Sequence, residues 1–82
     1  MAKFSLEAFP SNMKFARIVR DMTQESLAER SGISRAAITA YETRRGFPTL
    51  ESAVRIAESL GVTVNDLVDT EYAASKRRLL SE

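Results

Sequence analysis

The chain of 82 residues contains neither cysteine nor histidine. Without cysteine it can form no disulfide and offers no thiol nucleophile, and without either residue it cannot build a zinc finger. The absence of histidine also removes every arrangement in which an imidazole serves as the catalytic base. We therefore expect no metal, no cofactor and no enzymatic activity, because nothing can pair a nucleophile with its base.

Long apolar runs are missing as well. No stretch approaches the roughly 20 apolar residues that a membrane-spanning helix requires. The N-terminal sequence MAKFSLEAF also lacks the apolar core and the cleavage site of a signal peptide. The length suits a single domain with one modest core. The sequence thus predicts one soluble domain that resides in the cytoplasm.

Charged side chains are present in both signs but are unevenly distributed. Residues 10–50 carry seven basic and four acidic side chains, a net charge of +3. Residues 51–82 carry four basic and six acidic side chains, a net charge of −2. This difference favours a positive face in the N-terminal half, although splits of this size are common on ordinary solvated surfaces.

The most informative segment is Gln24–Thr43, QESLAERSGISRAAITAYET, which has the pattern of two short helices joined by a glycine turn. Gly32 suits the turn because glycine adopts a positive φ without a Cβ penalty. The Ser34 hydroxyl can then cap the second helix. Apolar side chains occur only where the helices meet, at Leu27, Ala28, Ile33, Ile38 and Tyr41. This is the helix-turn-helix pattern, in which the second helix is presented to the major groove of DNA.

Helical periodicity extends over the whole chain, and no segment alternates as a strand would. We predict a first helix from about Ser11 to Asp21, a second after the cap Thr23, and a third from Ser34 to near Thr43.

Two further helices follow. The fourth begins after Thr49 and ends at Gly61, and the fifth begins after Thr63, where Asp66 can reach back toward the cap. The predicted fold is therefore all-α, a compact five-helix domain at residues 10–69. Residues 1–9 form an N-terminal arm, and residues 70–82 form a C-terminal extension that is either an extra helix or a dimer arm.

The predicted core consists of large apolar residues at helical spacing. In the fourth helix, Leu50, Val54, Ala57 and Leu60 follow one another at intervals of three and four, which is typical of a core-facing stripe. The full set of core candidates is Leu27, Ile33, Ile38, Phe47, Leu50, Val54, Ile56 or Ala57, Leu60 and Leu67.

The stretch from about Met13 to Val68 resembles the lambda-repressor-like, or XRE-type, helix-turn-helix domain of Cro-type regulators. The motifs TQ-x-x-LA, SGIS, Y-E, P-T-L-E and LGV occur in order at the family's spacing. Asp21 departs from the family pattern, which usually has glycine or asparagine before the second helix. Small members of this family, such as phage repressors and restriction-modification controller proteins, regulate transcription by occupying operators. The resemblance implies the same fold and binding of a double-stranded DNA operator.

The resemblance also implies DNA contacts for individual residues. Thr23 and Gln24 correspond to the clamp on the sugar-phosphate backbone, and Gln24 can also brace side chains of the recognition helix. The alternative is that Thr23 only caps its helix and Gln24 is solvated. The positions that face base edges in the family are Ser34, Arg35, Ala36 and Ala40. Neighbours of the DNA backbone would be Ala37 and Thr39, and the following loop would place Thr43, Arg44 and Arg45 beside phosphates.

Arg35 is the strongest candidate for base recognition. Its guanidinium can donate two hydrogen bonds to guanine O6 and N7, whereas the alternative is a solvated arginine on an exposed helix. Ala36 and Ala40 cannot hydrogen-bond through their side chains, but they can accept a thymine methyl group or leave room for the backbone. The family also pairs an arginine of the first helix with a glutamate near the end of the third, here Arg17 and Glu42, to fix the packing.

One recognition helix covers about half a turn of DNA, so we expect a homodimer that reads two half-sites. The candidate dimer interface comprises the fifth helix and its surroundings, namely Val62, Val64, Leu67, Val68 and Tyr72. The alternative is that these residues close the monomer core, which we favour for Leu67. A second candidate function is an antitoxin that binds a toxin partner and regulates its own operon.

Overall fold

The computed structural model describes residues 3–80, and over this range it contains helices and no strand. A short 3-10 helix at Leu6–Ala8 precedes six α-helices. These are α1 (Phe9–Val19), α2 (Gln24–Ser31), α3 (Arg35–Glu42), α4 (Leu50–Leu60), α5 (Val64–Val68) and α6 (Tyr72–Leu80). The predicted all-α class is confirmed, with one α-helix more than the five expected because residues 72–80 are helical.

Every predicted N-cap is occupied by the expected hydroxyl. The side chains of Thr23, Ser34, Thr49 and Thr63 each accept a hydrogen bond from the backbone N–H three residues later, at 2.9–3.1 Å. At α5 the contact is reciprocal, because Asp66 Oδ2 accepts from the Thr63 N–H at 3.1 Å. These contacts fix where α2 to α5 begin.

The turns between helices depend on residues with positive φ. Gly32 has a φ of 72° and Gly61 a φ of 68°, and each ends its helix in the left-handed conformation. Two residues other than glycine share this region, Asp21 with a φ of 55° and Arg44 with a φ of 63°. The departure from the family at Asp21 thus falls on a position where glycine or asparagine would be less strained.

Helix α1 begins two residues earlier than predicted and ends before Asp21. Pro10 occupies the first turn, where a missing N–H costs nothing, so the helix can begin at Phe9. Phe9 and Met13 are buried as a result, with 1% and 0% of their surface exposed. The apolar N-terminal segment therefore contributes to the core rather than to a solvated tail.

The predicted stripe of α4 is wrong at its N-terminal half. Leu50 and Val54 are 75% and 40% exposed, and Phe47 in the preceding loop is 47% exposed. Leu50 lies in the first turn, beyond the edge of the core, and Val54 lies beside the buried face. That buried face comprises Ala53, Ile56, Ala57 and Leu60.

The helices assemble around one core. Helix α1 packs against α3, α5 and α6, while α2 packs against α3 and α4. Of the other core candidates, Leu27, Ile38, Ile56, Leu60 and Leu67 are fully buried, and Ile33 packs against them while partly exposed. None of the helices in residues 3–80 has the length and apolar character that crossing a bilayer demands.

Long-range polar contacts join the N-terminal segment to α5. The buried Asn12 donates from Nδ2 to the carbonyls of Asp66, Leu67 and Asp69 at 3.1, 3.1 and 2.8 Å. An isolated β-bridge pairs Phe4 with Asp69. On either side of it, the Ser5 N–H donates to the Val68 carbonyl and the Thr70 N–H to the Lys3 carbonyl, at 2.7 and 2.8 Å.

Candidate nucleic-acid interface

Helix α3 buries one side and exposes the other. Ile38 is fully buried against Leu27 of α2 and the rest of the core. On the opposite side, the side chains of Ser34, Arg35, Ala36 and Thr43 are exposed, while Ala37, Thr39 and Ala40 are half-buried. The exposed residues recur at the spacing of one helix face, so α3 presents a continuous row of short side chains headed by an arginine.

Two hydroxyls lie at the N-termini of α2 and α3. Thr23 Oγ1 accepts from the Ser26 N–H at 2.9 Å, and Ser34 Oγ accepts from the Ala37 N–H at 3.1 Å. A hydroxyl that accepts through oxygen still has its own proton to donate. Both residues are exposed, so each cap can give a hydrogen bond to an external acceptor such as a phosphate.

Gln24 is held by two neighbours. Its Nε2 donates to Glu42 Oε1 at 3.2 Å, and its Oε1 accepts from the Thr39 hydroxyl at 2.9 Å. Since an amide nitrogen has two hydrogens, one of them stays available for an external acceptor. The contact with Thr39 agrees with the expectation that Gln24 braces the recognition helix, and it commits the Thr39 proton to that task.

The pair of Arg17 and Glu42 exists and is bidentate. Arg17 Nε and Nη2 donate to the two carboxylate oxygens at 2.7 and 3.0 Å, and Arg17 Nη1 donates to the Met22 carbonyl at 2.8 Å. The two side chains are only 12% and 4% exposed. The pair joins α1 to α3 and also positions Gln24, a role that the sequence analysis missed because it assigned Glu42 to packing alone.

Arg35 extends from the first turn of α3 with little to hold it. Its only ion pair within residues 3–80 is with Glu25, at 3.7 Å, and the two side chains are 64% and 68% exposed. An exposed pair at this distance contributes little and is readily broken. The guanidinium is therefore accessible to an external acceptor.

The loop after α3 holds its three predicted residues differently. Thr43 donates its hydroxyl to the Thr39 carbonyl at 2.8 Å and so ends the helix. Arg44 turns toward the start of α1, where it donates to the Glu7 carbonyl at 2.9 Å and to Ser11 Oγ at 3.3 Å. Arg45 is exposed and has no ion pair within the described residues. Arg45 is thus the more accessible cation of the two.

The residues predicted for a dimer interface fall into two groups. Leu67 and Tyr72 are 0% and 8% exposed, so their contacts lie within the monomer. Val62, Val64 and Val68 are partly buried against the core and partly accessible. Burial and the charge of Asp66 raise the pKa of the Tyr72 hydroxyl, with Arg20 opposing them.

Comparison with known proteins places this geometry in context. A family model described as Helix-turn-helix matches residues 13–67. The chain is 35% identical over 63 residues to the HTH-type transcriptional activator BcrR of Enterococcus faecalis, which covers 77% of this chain and 31% of that protein. It thus spans about a third of the length of BcrR. It is 30% identical over 74 residues to the cryptic phage CTXphi transcriptional repressor RstR of Vibrio cholerae, covering 90% of this chain and 67% of that protein.

A solved structure agrees with the sequence relatives. A mutant of the restriction-modification controller protein C.Esp1396I superposes with a TM-score of 0.70 at 26% identity, covering 94% of this chain and 95% of that one. The matched family segment extends from α1 to α5 and includes the α2–turn–α3 unit described above. The chain therefore belongs to the helix-turn-helix family.

Proposed function

We propose that the chain is a transcriptional regulator that binds a double-stranded DNA operator, with α3 in the major groove. The observation that carries this proposal is the accessible row on α3, whose side chains are short and whose leading arginine is weakly held. Arg35 donates to a guanine edge, and Ala36 and Ala40 allow close approach and contact thymine methyl groups. Ser34 donates its hydroxyl proton to a neighbouring base or phosphate.

Backbone contacts flank this row in the proposed complex. Thr23 and Gln24 donate to phosphates at the start of α2, and Arg45 supplies a cation after α3. Arg44 adds its remaining N–H groups while its contact with Glu7 and the Ser11 hydroxyl keeps the loop close to α1. Three further residues border the DNA backbone as packing or bracing groups: Ala37, Thr39 and Thr43.

We infer a homodimer as the DNA-binding form. Helix α3 has eight residues, and at about 1.5 Å per residue it can contact only part of one turn of DNA. The second copy would meet the accessible sides of Val62, Val64 and Val68 on and beside α5. Support comes from the adjoining α4, which packs against α5 and exposes Leu50 and Val54. A surface of this kind is typical of an interface.

Relatives named as regulators include an activator and a repressor, so the direction of regulation is not part of the proposal. A regulator of this kind acts in the compartment that holds the DNA, and we place it in the cytoplasm. No observation favours the antitoxin alternative or a toxin partner.

Selection of bound sequences from a random pool of DNA duplexes tests the proposal. We expect an enriched site with two related half-sites and an affinity that falls with rising salt concentration, because cations on the protein release counterions from the phosphates. A pool that shows no enrichment, together with no salt-sensitive complex, would overturn the function. An enriched site without twofold symmetry would overturn the dimer alone.

A further inference from the structure

A second accessible apolar surface lies between α1 and α6, and neither the DNA contacts nor the homodimer uses it. It consists of Phe15, Ile18 and Val19 on α1 and Leu79 on α6, and we name it the α1–α6 surface. Ile18, Val19 and Leu79 are 54%, 48% and 66% exposed, while Phe15 is half-buried. Large aliphatic side chains at this exposure, side by side on two helices, are typical of a docking site.

The surface is concave. Two adjoining grooves, with volumes of about 360 and 450 Å³, share Phe15 and Val19 in their walls. The smaller groove extends past Ala16 to Val62 and Tyr72, and the larger one extends along α1 toward Ser11. Because both follow the side of an 11-residue helix, the combined hollow is an elongated trough about as long as α1, roughly 16 Å at 1.5 Å per residue. A trough of this shape accommodates a helix lying along it.

Cationic side chains border the trough. Arg20 and Lys76 line the smaller groove, and Lys14 and Arg77 line the larger one. The Arg77 guanidinium lies over the Phe15 ring, 5.3 Å from its centroid. Positive charge therefore surrounds the apolar floor at both ends.

Acidic groups are scarce at the same place. Among the lining residues that the structure describes, Asp66 is the only carboxylate. Its Oδ2 already accepts from the Thr63 N–H in the cap of α5. Arg20 reaches the Gly61 carbonyl with a single long hydrogen bond of 3.4 Å. The charges of Lys14, Arg20 and Lys76 are thus not neutralised by an ion pair within residues 3–80.

This charge pattern decides which occupant fits. A second copy of the chain, docked symmetrically on the same surface, would bring the cations of both copies together, and like charges in contact are costly. A segment with an apolar stripe flanked by Asp or Glu would instead cover the aliphatic floor and pair with the border.

We propose that the α1–α6 surface docks an acidic amphipathic helix of another protein, while α3 remains available for DNA. Aliphatic side chains of that helix, spaced by three and four residues, contact Ile18, Val19 and Leu79. Its carboxylates pair with Lys14, Arg20 and Lys76 at the border. The inference goes beyond the proposed function, because its test involves no DNA.

The probe is a synthetic, fluorescently labelled peptide of about 18 residues, long enough to be partly helical alone. It carries leucines on one face and glutamates on both flanks, and a matched peptide has lysine at every glutamate position. We expect the glutamate peptide to bind and to perturb the NMR signals of the Ile18 and Val19 methyl groups. The lysine peptide should bind at least tenfold more weakly because the border repels it.

Variants of the chain locate the contact. Val19→Ser combined with Leu79→Ser should weaken binding of the glutamate peptide by at least about tenfold, since exposed aliphatic anchors dominate helix docking. Leu6→Ser is the matched control, because Leu6 is 63% exposed but does not line the trough. Thermal unfolding of each variant verifies that the fold is intact.

The outcomes that overturn the proposal are distinct. Equal binding of the two peptides would remove the role of the charged border, and equal loss in the control variant would remove the trough. Absence of binding at millimolar peptide would remove the docking site. If instead Val19→Ser with Leu79→Ser converts a dimer into a monomer in sedimentation, the surface serves a second copy of the chain.

Discussion

Asp21 adopts the left-handed conformation at the turn that leads into α2, with a φ of 55°. An L-residue pays about 1–2 kcal/mol for this conformation, and aspartate pays toward the lower end because its short side chain tolerates it. Glycine would avoid that cost but would lose about 0.4–1 kcal/mol through the greater freedom of the unfolded chain.

The balance predicts that Asp21→Gly raises the free energy of unfolding by about 0.5 kcal/mol. Urea denaturation of the two proteins measures the difference. Gly32→Ala provides the opposite case, since it places a Cβ at a φ of 72° and should lower the free energy of unfolding. A destabilised Asp21→Gly would mean that the aspartate side chain contributes more to the turn than the backbone strain costs.

A second prediction at this scale concerns base recognition by Arg35. We expect Arg35→Ala to abolish discrimination at one base pair in each half-site, with a loss of about 1–3 kcal/mol for the preferred base. Binding measured against a series of single-base-pair substitutions in the selected site reports this loss. Arg55→Ala removes an equal charge from α4 and should leave the base preference as it was; an unchanged preference in Arg35→Ala would disprove the assignment.

At the scale of elements, the contact between α1 and α3 depends on one ion pair. Removing Glu42 leaves Arg17 partly buried without its counter-charge, and breaking a buried pair costs about 3–5 kcal/mol. We expect Glu42→Ala to lower the free energy of unfolding by that amount in a denaturation experiment. It should also weaken DNA binding at temperatures where the variant is folded, because Gln24 loses the oxygen that positions its amide.

The exposed pair of Glu51 and Arg55 serves as the comparison for this prediction. Its side chains are 78% and 52% exposed and lie 3.7 Å apart, so Glu51→Ala should change the free energy of unfolding by about 0.5 kcal/mol or less. Similar effects of the two substitutions would show that the pair of Arg17 and Glu42 is no more important than a surface contact.

The elements also separate what the sequence could predict from what it could not. The starts of α2 to α5 follow from hydroxyls that bond three residues ahead, which is a local signal, and the turns at Gly32 and Gly61 are equally local. The exposure of Leu50 and Val54 depends on where the neighbouring helices end, and periodicity within α4 does not contain that information.

The candidate site shows the same division. The family pattern identifies Gln24, Arg35 and the pair of Arg17 and Glu42 by position alone. The double use of Glu42 arises only when α1, α2 and α3 are assembled, since it joins residues 18 and 25 positions apart. Arg44 shows the limit most clearly, because its partners lie in the N-terminal segment, 33 and 37 residues away.

For the whole molecule, the net charge of +1 conceals the cations that a DNA duplex would meet. Each phosphate contact adds about 0.9 to the slope of the logarithm of affinity against the logarithm of salt concentration. We expect Arg45→Ala to reduce that slope by about 1 without altering base preference. Fluorescence anisotropy at several salt concentrations gives the slope, and a slope equal to that of the unaltered protein would exclude Arg45 from the contact.

Stability at high pH is the second property of the whole molecule that can be predicted. The pKa of Tyr72 is raised by burial and then by Asp66, so the folded protein keeps the phenolic proton at pH values where the unfolded chain releases it. The free energy of unfolding therefore falls as pH rises above about 10, the ordinary pKa of tyrosine.

The variant Tyr72→Phe has no phenolic proton and should lose less stability than the unaltered protein over the same interval. Urea denaturation at about pH 8 and about pH 11 measures both losses. Equal losses in the two proteins would show that Tyr72 does not govern the alkaline response.

The β-bridge between Phe4 and Asp69 closes a loop that contains almost every helix of the domain. Closing so large a loop has an entropic cost that only previously docked helices can offset, so this bridge belongs among the last contacts to form. The two borders of the domain are thereby fastened to each other: fraying at one of them releases the backbone partners of the other. Residues 3–5 and 68–70 consequently open and close as a single unit.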